Sequence, residues 1–277
     1  MNNVAKTFRI LSTRRSPAQG ECEYGATRQE LLRHVMIRNP PDVEGIVQLE
    51  NLWMLPGIRH GFATRWGHLE NVVPPPIARL KQVHGANVLI LPQELEDRFQ
   101  FMETNQNLRP HADGLITNCP EVTVAVAVAD CLPVLIADPV AGVVAAVHAG
   151  WRGLSSGVIE NAIEMMASGF GTKPTNCVVG IGPSIGPCCY EVGPEVLAAF
   201  NEQGYGAEAR IPVSKNEQLH CNLGAVGSAI TQKLGVPQHN VTNAGLCTKC
   251  NSDWLWSYRR DGDTAGRMLC GISLTHH

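Results

Sequence analysis

Three short segments concentrate the ligand chemistry of this chain: Lys81-Gln82-Val83-His84-Gly85, Ala129-Asp130-Cys131-Leu132-Pro133 and Val147-His148-Ala149-Gly150-Trp151-Arg152-Gly153. Each sets one soft or borderline ligand, His84, Cys131 or His148, beside an apolar run that ends in a turn. Two imidazoles and a thiolate are a three-ligand set for a catalytic zinc with an open fourth position. Read singly, each has a plainer alternative. His84 is also a structural histidine, and Cys131 a small buried hydrophobe. His148 ends an apolar run at a strand-to-helix turn, where sites are commonly built.

Other residues add weaker signals. Asp130 either orients a ligand and moves protons or is a turn residue bound to backbone N–H groups. Arg152, with the N–H groups of Gly150 to Gly153 opening a helix, suits phosphate or another anion. Its alternative is a solvated arginine beside two glycines that allow the turn. The Gly/Pro-rich stretch Ser184 to Tyr190 is placed to line the same pocket, but no standard Gly-rich nucleotide-binding pattern is present. Cys247-Thr248-Lys249-Cys250 has metal-ligand spacing, yet no second pair of that spacing completes a four-ligand site. The adjacent Cys188-Cys189 fits one ordinary framework only awkwardly and reads as a pair of thiols. Ser257-Tyr258-Arg259-Arg260-Asp261-Gly262 carries two cations, as a substrate rim or a charged surface turn.

The elements that must position these groups are short and apolar. Val122, Val124, Val126 and Val128 alternate with small residues, as in a strand covered on both faces. Leu132 to Ala137 and Gly142 to Val147 flank a turn-like Asp138-Pro139-Val140-Ala141. If Asp138 pairs with Gly142, Cys131 falls opposite Ala149 and His148 opposite Leu132. Both ligands then sit at one end of adjacent strands, where facing Cβ atoms lie about 4.5–5.5 Å apart. His84 lies outside this hairpin, and only the tertiary fold can bring it to the pair. Further strands are expected at Ile46 to Leu52, Ile58 to Thr64, Ala86 to Leu91, Asp113 to Thr117, Cys177 to Gly182, Val241 to Leu246, Trp254 to Tyr258 and Met268 to Leu274. A helix after Gly150 carries the stripe Val158, Ile159, Ala162, Ile163 and Met166.

At 277 residues with a net charge of −3, the chain can bury a sizeable core and has no global attraction for a phosphate backbone. Nucleic acid is therefore a poor partner, and no apolar run is long enough for a bilayer. Met1 to Phe8 lacks a signal-peptide pattern, so the ten cysteines read as reduced thiols of a cytoplasmic protein. Residues 1–43 read as an extension, with a short helix from Thr27 to Met36, and 44–277 as a single catalytic domain.

The three opening segments, with Ala112-Asp113-Gly114-Leu115-Ile116-Thr117, Gly180-Ile181-Gly182-Pro183, Cys189-Tyr190-Glu191-Val192 and Ser257-Tyr258-Arg259-Arg260-Asp261-Gly262, closely resemble the YfiH family, also called laccase-domain or multicopper polyphenol oxidoreductase proteins. The chain is most similar to Bacillus-type members. The resemblance runs from about Gly61 to Gly271. It implies an α+β fold of two intermixed subdomains in α-β-β-α layers with mixed sheets, similar to the catalytic domain of cytotoxic necrotising factor. It implies His84, Cys131 and His148 as metal ligands, with zinc the expected ion and copper the alternative. The implied activity is phosphorolysis of purine nucleosides (adenosine, inosine and methylthioadenosine) together with adenosine deamination, in a monomer or homodimer. In that reading Asp130 moves protons, and Arg65, Arg152, Gly150, Tyr258 and Arg259 bind substrate. The chain departs from the family pattern at Trp66-Gly67-His68, Asn222 and Lys249-Cys250, which bears on the substrate rim. Laccase chemistry is disfavoured, because the chain has no His-x-His pair and one mononuclear site cannot collect four electrons for oxygen reduction. A cysteine hydrolase of peptidoglycan precursors, with Cys131 as nucleophile and His148 as base, is the runner-up.

Overall fold

The computed structural model describes residues 35–38, 45–92, 94–120, 122–211 and 218–275. Their architecture is α+β, built on two six-stranded mixed sheets. The first sheet runs, edge to edge, Val35–Arg38, Ile46–Leu49, Ile58–Ala63, Met268–Leu274, Thr123–Val128 and Ile77–Ala78. The second runs Val241–Asn243, Val178–Ile181, Leu132–Asp138, Val143–Ala149, Gly114–Thr117 and Val88–Ile90.

The period-two pattern of the central strands decides how these sheets stack. Leu132, Val134, Ile136, Val143, Ala145 and Val147 form one core with Val158, Ile159, Ala162, Ile163, Met166, Val226 and Ile230 of two helices. Leu135, Ala137, Val144 and Ala146, on the opposite face, pack against Val47, Phe62, Val124, Val126, Val128, Cys270 and Ile272 of the first sheet. Both central strands are buried along their whole length, and each fully buried Val, Leu or Ile contributes about 1.5–3 kcal/mol. The outer face of the first sheet is covered by the short turn Leu69–Asn71, through Leu69 and Val73 against Ala125.

Several sequence expectations shift. The central hairpin pairs Asp138 with Val143, so the loop spans four residues. The Asp138 side chain accepts hydrogen bonds from the N–H groups of Val140 and Ala141, which closes that longer turn. The helix expected after Gly150 is two helices, Trp151–Ser155 and Val158–Phe170, interrupted where Gly157 adopts φ 86°. Trp254 to Tyr258 is not a strand. Arg260 ties the carbonyls of Thr248, Lys249 and Leu255 together, and Ser257 caps a short helix, Tyr258–Asp261. The Val35–Arg38 strand lies inside the stretch read as an extension, yet it pairs with Ile46–Leu49 and widens the first sheet. The helix expected from Thr27 lies outside the described residues up to residue 34; its last two residues, Val35 and Met36, are in that strand. Among the described residues, no helix is long and apolar enough to cross a membrane.

Candidate active site

The one-residue change in hairpin register has a direct consequence for the ligands. His148 now faces Pro133, and Leu132 faces Ala149. Side chains two apart on a strand share a face, so Cys131, two residues before Pro133, falls on the same side as His148. Under the register expected from sequence the two would have pointed to opposite faces. Cys131 packs against the core between the sheets, the side to which Val144 and Ala146 also point.

His84 arrives from a loop that is held by side chains rather than by a sheet. Gln82 exchanges two hydrogen bonds of 2.8 Å with the backbone of Ala127. The Asp113 carboxylate, itself fully buried, accepts from the N–H groups of Val83 (3.2 Å), His84 (2.9 Å) and Gly85 (2.7 Å). His84 has φ 60° and Asp130 φ 89°, two left-handed non-glycine residues that both lie at this site; such backbone strain is kept where surroundings enforce it.

Asp113 also completes the geometry of His148. Gly114 pairs with Val147, which sets Asp113 beside His148, and its Oδ1 lies 2.8 Å from His148 Nδ1. A carboxylate on Nδ1 fixes the tautomer and leaves Nε2 for a ligand. The His84 and His148 rings meet edge to face with centroids 4.9 Å apart. One donor atom from each of His84, Cys131 and His148 lies within 4.8 Å of the others. A tetrahedral ion with these donors needs them roughly 3.3–3.6 Å apart, so a small contraction completes the set. Gly150 leaves the room: a Cβ there would stand 3.2 Å from Cys131 Sγ and 3.4 Å from His84 Cδ2.

Burial by itself would keep the Cys131 thiol protonated, but hydrogen bonds and charge from His148 and His84 bring it down to about 6. Burial also opposes the His148 cation, yet Asp113 and Cys131 lift it to about 9. Asp113 is desolvated, but its bonds to His148, Gly85 and His84 outweigh that and hold it below the usual carboxylate range. The three form one chain of charge-assisted contacts.

The site opens into a cavity of about 60 Å³ lined by His84, Asp130, Cys131, Gly150, Trp151, Arg152, Ile185, Tyr190 and Leu223. Arg152 is exposed and stacks on the Trp151 ring at 4.3 Å. The helix it belongs to is only five residues long, so the N–H groups expected to cradle an anion carry little dipole. Asp130 accepts from the Thr248 hydroxyl on one oxygen and from the Arg259 N–H on the other. Arg259 donates to the Glu191 carbonyl and stands over the Tyr190 ring. Arg65 and Tyr258 are not brought to the cavity. Arg65 is clasped between Trp66 and Trp256 and donates to the Ser252 carbonyl. Tyr258 is half exposed and donates to Asp263. The stretch Ser184 to Tyr190, expected at the pocket, supplies Ile185 and Tyr190 to its wall, whereas Asp113 has no role in the sequence reading although it lies in one of the short motifs quoted above. Tyr190 has its phenol pushed up by burial first and then by Cys221 and Cys131, so it stays protonated beside the cavity.

Residues 64–275 match the family model described as multi-copper polyphenol oxidoreductase laccase. The chain belongs to this YfiH, laccase-like family. Within it, the chain is 33% identical over 204 residues to a protein of Bacteroides thetaiotaomicron named purine nucleoside phosphorylase, covering 73% of this chain and 74% of that one. It is 36% identical to the purine nucleoside phosphorylase YfiH of Shigella flexneri, covering 70% and 72%. It is 30% identical to adenosine deaminase RL5 of an unknown prokaryotic organism, covering 74% and 75%. Among solved structures, Bacillus licheniformis YfiH superposes with a TM-score of 0.76 at 23% identity, over 88% of this chain and all of that one. YlmD of Geobacillus stearothermophilus gives 0.73 at 23%, over 87% and all of that chain. These two establish a shared fold.

Proposed function

We propose that the chain is a zinc-dependent purine nucleoside phosphorylase with adenosine deaminase activity, and that His84, Cys131 and His148 hold the ion. The observation that carries this reading is the convergence of two imidazoles and one thiol within 4.8 Å of one another, beside a cavity that His84 and Cys131 line, in a family whose named relatives include both activities. When bound, zinc supplies a Lewis acid with a vacant coordination position. Zinc suits this borderline donor set; copper is the less favoured ion. One three-ligand position does not provide the several coppers that laccase chemistry needs.

The remaining work falls to the chain itself. Asp113 holds His148 in the tautomer that presents Nε2 and fixes the His84 loop through three backbone N–H groups. Arg152, exposed at the mouth, binds the anionic co-substrate phosphate. Tyr190 donates a hydrogen bond to the nucleoside, and Asp130 receives or returns a proton. The cavity is far smaller than the roughly 300–1,000 Å³ of an enclosing ligand pocket. The nucleoside therefore presents only its reacting end there, and its body rests on the Trp151, Arg152 and Tyr190 rim. Arg259 supports that rim from behind Tyr190. Arg65 and Tyr258 act on substrate only after leaving their present partners.

The geometry favours a second reading on one observation. Cys131, His148 and Asp113 follow one another as thiol, imidazole and carboxylate, the order of a cysteine hydrolase triad. Two measurements separate the readings. The zinc-loaded protein should release hypoxanthine and ribose 1-phosphate from inosine only when phosphate is added, and Cys131→Ala should abolish stoichiometric zinc. No base released from inosine and phosphate at high enzyme concentration refutes the phosphorylase; hydrolysis of a peptidoglycan precursor by the metal-free protein, lost on alkylation of Cys131, supports the hydrolase.

A further inference from the structure

A second group of ligands lies apart from the His84 site. The sulfurs of Cys188, Cys189, Cys247 and Cys250 all lie within 4.8 Å of one another. Cys250 Sγ is 3.5 Å from Cys188 Sγ and 3.4 Å from Cys189 Sγ. None of the four is in a disulfide, whose sulfurs would be about 2.05 Å apart. Four thiolates at about 2.3 Å from a tetrahedral zinc are roughly 3.8 Å from each other, so the sulfurs stand close to that arrangement.

The backbone around them is shaped to the cluster. Cys247 and Cys250 sit on one turn, closed by the Asn251 N–H and side chain, which both donate to the Cys247 carbonyl. Cys188 and Cys189 sit on another, closed by the N–H groups of Cys189 and Tyr190 on the Gly186 carbonyl. The Gly186 N–H donates to Cys247 Sγ at 3.2 Å. A Cβ at Gly186 would stand 3.0 Å from Cys247 Cβ and 3.3 Å from Cys188 Sγ, closer than an ordinary van der Waals contact, so the glycine lets the two turns close around the sulfurs without displacing them. The second pair that a search for a repeated C-x-x-C spacing misses is the adjacent pair Cys188-Cys189.

We propose that Cys188, Cys189, Cys247 and Cys250 form a tetrathiolate site for a structural zinc ion that staples the 184–191 loop to the 247–251 turn. All-sulfur, four-ligand coordination leaves no open position, which separates this site from the three-ligand one. Uptake involves no oxidation: the thiols release their protons to solvent as four zinc–sulfur bonds form. The staple has a use in the neighbouring cavity. The Ile185 N–H donates to the Asp130 carbonyl, the Thr248 hydroxyl donates to the Asp130 side chain, and Tyr190 lines the cavity wall. Both clamped segments thus hold the residue before Cys131.

The test uses the full chain carrying Cys131→Ala and His148→Ala, which disables the three-ligand site. Zinc is measured by mass spectrometry after dialysis against EDTA, with circular dichroism confirming the fold. About one zinc per chain is expected to remain, falling to none when Cys250→Ser is added. Should the triple variant not fold, cobalt loaded into the folded double variant gives the intense visible bands of tetrahedral thiolate coordination. A folded double variant that retains no zinc and shows no such bands overturns the proposal. So does a peptide map of the wild-type protein showing Cys188 or Cys189 disulfide-linked to Cys247 or Cys250.

Discussion

Replacing Asp113 by asparagine changes one oxygen for an amide and nothing in volume, yet it strikes the centre of the site. Oδ1 accepts from the His84 N–H and contacts His148 Nδ1; Oδ2 accepts from the Val83 and Gly85 N–H groups. Whichever way the amide turns, its NH₂ faces two donors. Turned toward Oδ2, it leaves two backbone N–H groups without an acceptor. Turned toward Oδ1, it leaves the His84 N–H unpaired and drives His148 to accept at Nδ1, which puts the ring proton on the nitrogen a metal needs. Hydrogen bonds to a charged acceptor contribute about 1.5–3 kcal/mol each, so losing two costs about 3–6 kcal/mol in local order, much of it in the His84 loop. Loss of the carboxylate behind a ligating histidine weakens metal binding about 10–100-fold. Chelator competition with zinc and a thermal melt should therefore both respond, with a lower melting temperature and an affinity reduced in that range. An Asp113→Asn protein that binds zinc as tightly as wild type and melts at the same temperature would refute the account of how His84 and His148 are held.

Other outcomes follow from the same structure. Gly150→Ala places a methyl 3.2 Å from Cys131 Sγ; overpacking of this kind costs about 1–3 kcal/mol, and zinc affinity should fall in equilibrium dialysis while the circular dichroism spectrum is kept. Burial pushes the thiols of Cys177 and Cys221 up to about 12. The thiolate is the reactive form and is scarce below that value, so iodoacetamide at pH 8 should leave both unlabelled in the folded protein and label them once urea unfolds it. Arg260→Lys removes the planar fork that binds the carbonyls of Thr248, Lys249 and Leu255. A lysine cannot reproduce that fan, and a loss of about 1–3 kcal/mol should appear in denaturant melts.

Much of the scaffold could be read from residue order, because the central strands are apolar throughout and bounded by turn chemistry. The Leu132–Asp138 and Val143–Ala149 pair, the Val158 helix stripe and the alternating valines are found where periodicity places them. Hairpin register was harder, since a side-chain acceptor on Asp138 selects the loop length and a single residue changes every facing. Trp254 to Tyr258 has strand-like composition, but the arginine that organises it lies outside the window and acts through carbonyls. Of the site, the ends of the hairpin were within reach of local reasoning. His84 needed the resemblance, because its loop is anchored by Asp113 and Gln82 across the fold. Asp113 itself sits just before the Gly114–Thr117 strand, with no nearby signal that three N–H groups converge on it. The four-cysteine group is not legible as two like C-x-x-C pairs, because folding joins one separated pair, Cys247 and Cys250, to one adjacent pair, Cys188 and Cys189.

The position of Met268–Leu274 in its sheet bears on how the protein comes to exist at all. That segment lies between Ile58–Ala63 and Thr123–Val128 and bonds to both, so as the chain leaves the ribosome its first sheet has a gap in the middle until these residues have emerged. Until then, two hydrophobic strand edges stand open to neighbours, the circumstance in which nascent chains associate wrongly. Synthesis arrested before residue 268 should yield a product that chaperones retain, even though His84, Cys131 and His148 have all been made.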